Sequence, residues 1–299
     1  MAACPQMDSH KGAGPGGETE PEQQFEEKLE LLASVSVSRW EQGDLSLADD
    51  KVAEEVAVAL VYNGISHVVM MTSPNDLKDL ALGFSITEGI LTSADELYGI
   101  ELQHHKTGVE VQMNIASGRM MQLKQQRRNL TGRTGCGLCG AESLEQAVRP
   151  VKVLNSPNTI SDEAIQNAVV KLEENQPQQA LTGACHGAAW CNQQGDILMV
   201  REDVGRHNAL DKLIGALIEE GIDMQQGFVL ISSRASYEMV QKVTAVGIGT
   251  LVAVSAPTGL ALRLAKDAGL QLVGFARPRR HVRYSPEPVS SSEPVNKLP

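Results

Sequence analysis

Residues 227 to 276 read GFVLISSRASYEMVQKVTAVGIGTLVAVSAPTGLALRLAKDAGLQLVGFA. Three short apolar runs (FVLIS, LVAVS, LVGFA) alternate with two stretches, YEMVQKVTAVG and GLALRLAKDAG, whose apolar residues recur at helical spacing. Short aliphatic runs bounded by Ser, Gly and Pro read as buried strands. Strand and helix in alternation predict a mostly parallel sheet covered by helices. The same rhythm begins upstream with a helix (DEAIQNAVVKLEE), a strand pair (GAAWC, then DILMVRE) and a further helix (NALDKLIGALIEE). Ligands of such sheets bind beyond the C-terminal strand ends. Those ends carry Glu202 to His207, Ser232-Ser233-Arg234, Ser255 to Thr258 and Ala276 to Arg280. Polar residues therefore collect where a ligand is expected.

The preceding region, from about Trp40 to Ser143, reads as α+β. VAVALVYNGISHVVMM, starting at Val56, is two apolar runs around Asn63-Gly64, the strongest short-range hairpin signal. Ser73-Pro74 with Asp76 reads as a cap with proline in the first turn, opening a helix over NDLKDLALGFSITEGIL. VEVQMNI alternates as a half-buried strand does. The fold class is thus α/β (α+β overall), with an N-terminal α+β subdomain over 40–143 and a larger α/β subdomain over 144–283. The acidic segment 1–35 is rich in Gly, Pro, Glu and Gln, and it and the tail YSPEPVSSSEPVNKLP (284–299) are expected to be disordered.

Composition narrows the function classes. The 299 residues allow one large domain or two of about 150. Aromatics are only 3%, so the core rests on Val, Leu, Ile, Ala and Met. The net charge is −11, but residues 1–50 hold 11 acids and 3 bases, so the body is near neutral. No apolar run approaches the roughly 18 residues of a membrane span. The N-terminus lacks the basic start and apolar stretch of a signal peptide. Five cysteines (Cys4, Cys136, Cys139, Cys185, Cys191) are an odd number in a long chain, unlike a secreted disulfide framework. A cytoplasmic protein is expected, with no nucleic-acid or membrane partner.

The sharpest motif is TGRTGCGLCG at residues 131–140. A zinc site needs four ligands, and Cys185 and Cys191 lack the usual spacing to complete one with Cys136 and Cys139. A thioredoxin-like dithiol opens a helix inside a βαβ unit, and the surrounding pattern is not of that kind. Plain packing is the bland alternative, since free cysteine is commonly buried. Against it, Gly135, Gly137 and Gly140 cost backbone entropy that a packing site does not need. Arg133 and a helix start at Ala141 favour thiolate, the reactive form. Sulfur transfer suits such a loop, because a persulfide must enter one partner's site and then be presented to another molecule.

TGRTGCGLCGAES, TGACHGAAW, REDVGRHNALDKLIG, SSRASYEMVQK and GFARPRR occur in that order. Together they closely resemble the FdhD family, the formate dehydrogenase accessory sulfur carriers, from about Trp40 to Tyr284. The resemblance implies a sulfurtransferase that takes sulfur from a cysteine desulfurase. It passes that sulfur to the molybdenum cofactor, Mo-bis(molybdopterin guanine dinucleotide), before the cofactor enters the formate dehydrogenase catalytic subunit. By position, Cys136 resembles the persulfide-bearing residue and Cys139 its partner. Phe275, Ala276, Arg277, Pro278, Arg279 and Arg280 match the cofactor-contacting stretch, with Pro278 where the family often has glycine. The resemblance also implies a homodimer, no metal bound directly by the protein, and a cytidine-deaminase-like three-layer fold for 144–283.

The residues alone support part of this. Arg277, Arg279, Arg280 and Arg283 cluster past the last expected strand, and guanidinium groups match phosphate geometry. A solvated basic end is the bland alternative. Asp203, Arg206 and His207 lie on a strand-to-helix turn, where a helix start favours anions and a cofactor pocket is open to them. His207 is equally a structural histidine, Cys185 a packed thiol, and Met70, Met71, Met120 and Met121 gap-fillers. Deaminase chemistry needs H-x-E and P-C-x-x-C at successive helix starts. GRHNAL and SSRASYEM supply neither. Two rivals to sulfur transfer remain: a cofactor-binding chaperone without sulfur chemistry, and a CxxC dithiol oxidoreductase.

Overall fold

The computed structural model describes residues 29–130, 150–154 and 159–285. Its fold is mixed α/β, with three sheets and seven α-helices among the described residues.

The hairpin at Asn63-Gly64 forms as the sequence predicts. Strands β3 (Val56–Tyr62) and β4 (Ile65–Thr72) pair antiparallel. Asn63 and Gly64 have φ of 46° and 77°, the two positive values of a primed hairpin turn. β5 (Leu97–His105) and β6 (Gly108–Ile115) complete a four-stranded sheet in the order β4-β3-β6-β5, with β3 and β6 parallel. Helix α1 (Leu77–Thr87) buries Leu77, Leu80 and Ala81 with Val58, Leu60, Tyr62, Val111 and Met113 of this sheet. It starts later than the Ser73-Pro74 cap predicts. Asp76 stands at the N-cap instead, left-handed at φ 54° with no side-chain cap bond, and the Ser73 hydroxyl accepts from Val204 N of the other region. Helix α2 (Ser117–Leu130) follows β6.

Ahead of this sheet, β1 (Leu32–Glu41) and β2 (Asp44–Ala53) form a separate two-stranded ribbon. β1 takes in residues 32–35 of the segment expected to be disordered, which corrects that boundary. The sequence conceals the ribbon because its alternation is of Ser, Val and acids, and Trp40, Leu45 and Leu47 stay exposed.

In the second region α3 (Asp162–Lys171) and the short α4 (Pro177–Thr182) precede β7 (His186–Asn192) and β8 (Ile197–Asp203). Then come α5 (Arg206–Glu219), β9 (Gly227–Ile231), α6 (Tyr237–Ala245) and β10 (Thr250–Ala253). α7 (Gly259–Ala268), β11 (Gln271–Arg277) and β12 (Arg280–Ser285) finish the chain. The sheet order is β12-β11-β10-β9-β7-β8.

The expected mostly parallel sheet is corrected here: only β9–β10 and β10–β11 pair parallel. β7–β8 and β11–β12 are joined by short turns, and short connections permit only antiparallel pairing. β7 then lies antiparallel to β9 as well.

Period-two alternation puts helices on both faces of this sheet. Ala188, Trp190, Val229, Ile231, Leu251 and Leu272 point to α5, α6 and α7. Ala189, Cys191, Phe228, Leu230, Val252 and Val273 point to α3.

The two regions meet where α1 crosses α5. A Cβ on Gly83 of α1 would lie 1.8 Å from the carbonyl oxygen of Asp211, and one on Gly215 of α5 1.9 Å from that of Asp79. Only glycine permits backbones this close.

Candidate functional site

β8, β9, β10 and β11 run in one direction, while β7 and β12 run against them. The ends of the first four and the starts of the other two therefore share one edge. Backbone bonds extend this edge past the strands: Ser255 donates to Ser233 (3.4 Å) and Phe275 to Ser255 (3.0 Å). The N-termini of α5, α6 and α7 open along the same edge, where their partial positive charge favours anions.

The turn from β8 into α5 divides its polar residues between this edge and the interior. Asp203 is fully buried and ion-paired with Lys212 at 2.7 Å. It also accepts from Ser73 N (3.0 Å), Gly205 N (2.7 Å), Asn208 Nδ2 (3.0 Å) and the Thr72 hydroxyl. Five donors saturate the carboxylate, so Asp203 ties the β4–α1 loop to α5 and lines no pocket. Burial pushes the Lys212 ammonium down, and Asp203 opposes that shift.

Arg206 and His207 take the other direction. The Nε of Arg206 is buried with no hydrogen-bond partner. His207 Nε2 stands 3.7 Å from Glu238 Oε2 on α6, an ion-pair distance too long for a good hydrogen bond. Burial pushes the His207 imidazole down, and the Arg206 cation adds to this. His186, at the start of β7, is lowered by the same two causes. Burial would raise the Glu238 carboxyl, but Ser236, its own backbone N–H, His207 and Arg206 together hold it below its ordinary value. A guanidinium with an idle buried donor, beside two imidazoles kept neutral, suits an incoming anion.

The arginine segment lies at the far end of this edge. β12 continues the chain after it, so the arginines do not follow the last strand as the sequence suggests. Arg277 and Arg280 face each other across the β11–β12 turn. Arg277, Pro278, Arg279 and Arg280 are all exposed, while Ala276 is buried. Arg283 belongs to β12 itself and is spent on Asp162 of α3, at 2.8 Å through Nε. Phe275 is left-handed at φ 51° and 41% exposed. An aromatic in that conformation is costly, and such strain concentrates at binding sites. Arg206, His207 and Glu238 share the sheet edge with Phe275 and the arginine turn.

A family model described as FdhD/NarQ matches residues 53–289. The chain belongs to the FdhD/NarQ family. It is 55% identical over 253 residues to a protein of Cupriavidus necator named sulfur carrier protein FdhD, covering 85% of this chain and 88% of that one. A protein of the same name from Xanthomonas oryzae pv. oryzae is 50% identical over 250 residues, covering 84% and 89%. In fold, the chain is similar to a solved structure from Desulfotalea psychrophila described as a formate dehydrogenase accessory protein. The TM-score is 0.68 at 22% identity, with 85% of this chain and 97% of that one covered.

Cys136 and Cys139, the expected sulfur-bearing pair in their glycine loop, lie outside the described residues. α2 leads into that segment and Pro150 follows it. The two cysteines that are described are both buried. Cys185 is buried with its thiol pushed up chiefly by desolvation, and its sulfur lies 3.9 Å from Gln178 Oε1. Cys191 is buried in the α3 face of the sheet and its thiol is pushed up further by the same cause.

Sequence reasoning missed Glu238, although SSRASYEM was among the quoted blocks, and it missed the α3 residues beneath the arginine turn. No local signal marks either; both gain meaning only from the strand that places them.

Proposed function

We propose that this protein is a sulfur carrier serving formate dehydrogenase and that sulfur travels on Cys136. The Cys136 thiolate attacks the terminal sulfur of a cysteine desulfurase persulfide, and the donor's thiolate leaves, so sulfur moves without net redox change. Cys139 is the second thiol of the pair. The acceptor is Mo-bis(molybdopterin guanine dinucleotide), bound as substrate at the sheet edge before it enters formate dehydrogenase. The relatives' names support the carrier role, and the exposed arginine turn, on the same sheet edge as the idle donor of Arg206, is the observation that carries the binding half. A pyrophosphate matches guanidinium geometry, and helix N-termini add to the attraction. Two copies of the chain in a homodimer would hold the two guanine nucleotides of one cofactor, raising affinity through effective concentration.

Calorimetric titration of GDP tests the binding half. Arg277→Ala is expected to lose roughly 1.5–3 kcal/mol, tenfold or more in affinity, with Cys136→Ala unchanged. Unchanged affinity in a folded Arg277→Ala would remove the pocket from this edge. Peptide mass spectrometry after incubation with a cysteine desulfurase and cysteine tests the sulfur half. An extra sulfur on Cys136 is the expected result. Full formate dehydrogenase activity from a Cys136→Ala, Cys139→Ala variant would instead favour a chaperone without sulfur chemistry. Catalytic reduction of insulin would favour a dithiol oxidoreductase.

A further inference from the structure

The arginine turn is held from below by α3. Asp162 and Gln166 are one helical turn apart on α3 and so share a face. Gln166 Oε1 accepts from the backbone N–H of Arg279 at 2.6 Å. Arg279 is itself left-handed at φ 69°, a conformation that needs such support. A backbone N–H can only donate, so this bond fixes which way the Gln166 amide points. Its Nε2 then faces Arg280 O (3.3 Å) and His281 Nδ1 (3.0 Å). Because Nε2 is a donor, His281 Nδ1 must accept, and the ring proton sits on the other nitrogen. That nitrogen, Nε2, lies 2.7 Å from Asp162 Oδ1. The result is a directed chain: Arg279 N–H to Gln166, Gln166 to His281, His281 to Asp162.

We propose that Gln166 is a positioning residue that couples His281 to Arg279, so that the arginine turn keeps its anion-binding shape only while His281 is the neutral Nε2–H tautomer. A proton added at Nδ1 sets two donors face to face. If the amide flips to relieve that conflict, its NH2 meets the Arg279 N–H and the support of the turn is lost. Among the described residues, Asp162 on α3 and Arg283 on β12 are paired in one cluster with the ring, and Arg277, Arg279 and Arg280 lie in the adjoining turn. α7 packs its apolar residues against the opposite face of the sheet from α3. The binding consequence rests on the nucleotide reading above, whereas the coupling itself does not.

Nitrogen-15 NMR of the full-length protein tests the coupling without ligand. In the wild type the neutral His281 ring is expected to be the Nε2–H tautomer, and the Arg279 amide to shift in step with protonation of His281. His281→Asn, whose carboxamide oxygen stands where Nδ1 accepts, should hold the Arg279 amide fixed. Gln166→Ala should break the linkage while the ring still titrates. GDP titration is the second arm. The wild type is expected to lose affinity on acidification about two- to tenfold more than His281→Asn, the effect of one hydrogen bond, with the titrations of GDP and of His186 and His207 common to both. An Nδ1–H tautomer, or an Arg279 amide that follows the ring equally in Gln166→Ala, overturns the proposal. If the amide behaves as expected while Arg277→Ala binds GDP as the wild type does, the coupling stands and the nucleotide reading falls.

Discussion

The α1–α5 junction and the ligand edge of the six-stranded sheet draw on the same short stretch, Asp203 to Lys212, and use it in opposite ways. At the junction every charge is matched. Asp203 is paired with Lys212, and Asp211 accepts from Lys242 (2.8 Å) and Thr87 (2.8 Å), with Glu88 also on Lys242 (3.0 Å). At the edge, three residues past Asp203, Arg206 keeps a donor unused, and Arg277, Arg279 and Arg280 are exposed. Buried charge with complete partners fixes one arrangement of two regions. Charge left with spare hydrogen-bonding capacity is available to something that arrives later. Sequence identity does not separate the two roles; burial and partner count do.

Breaking the junction should cost the most. Lys212→Met leaves Asp203 buried without its counter-charge and is expected to lose about 3–5 kcal/mol in urea unfolding. A loss below about 1 kcal/mol would mean that the Asp203 hydrogen bonds alone hold the regions together. Gly83→Ala probes the same crossing sterically. Its added methyl meets the Asp211 carbonyl, which should cost about 1–3 kcal/mol as the helices separate. Gly215→Ala meets the other side of that contact, so the double variant should cost less than the sum of the two. At the edge the expectation reverses. Arg206→Ala should stay within about 0.5 kcal/mol of the wild type in the same assay while weakening GDP.

The smallest effect is a pH dependence. His186 and His207 are both held below their ordinary value of 6.5, chiefly by burial. The unfolded chain therefore takes up protons that the folded chain refuses. Stability should fall as pH drops below 6.5, and His207→Asn should flatten that slope in thermal melts followed by circular dichroism. An unchanged slope would place the proton uptake elsewhere.

Much of the scaffold is legible in the residues. Asn63-Gly64 specifies its turn because only a few residue types accept positive φ at both positions. The alternation from Phe228 to Ala276 predicts the strands and helices of the second region and the edge where polar residues gather. β7 beside β9 is not legible, because an apolar strand buried on both faces carries no mark of its neighbour. β12 is hidden by its own composition, RHVRYS, which reads as a basic tail until His281 and Arg283 are seen to face Asp162. The α1 start is misread for a related reason: Ser73 is a cap by local pattern, but its Oγ accepts from the Val204 N–H across the chain instead.

The sequence by itself determined the secondary-structure rhythm, the turn at Asn63-Gly64 and, through five ordered motifs, the family. These follow from side-chain period, backbone torsions and short-range order, all written within a few residues. Only the tertiary structure decided that Asp203 and Lys212 are structural, that Arg206 is left with a free donor, and that Gln166 supports the turn at Arg279. Those roles depend on partners more than a hundred residues away, Asp203 on Ser73 and Arg279 on Gln166. Whether a polar group is satisfied or waiting is a property of the folded neighbourhood, not of the residue that carries it.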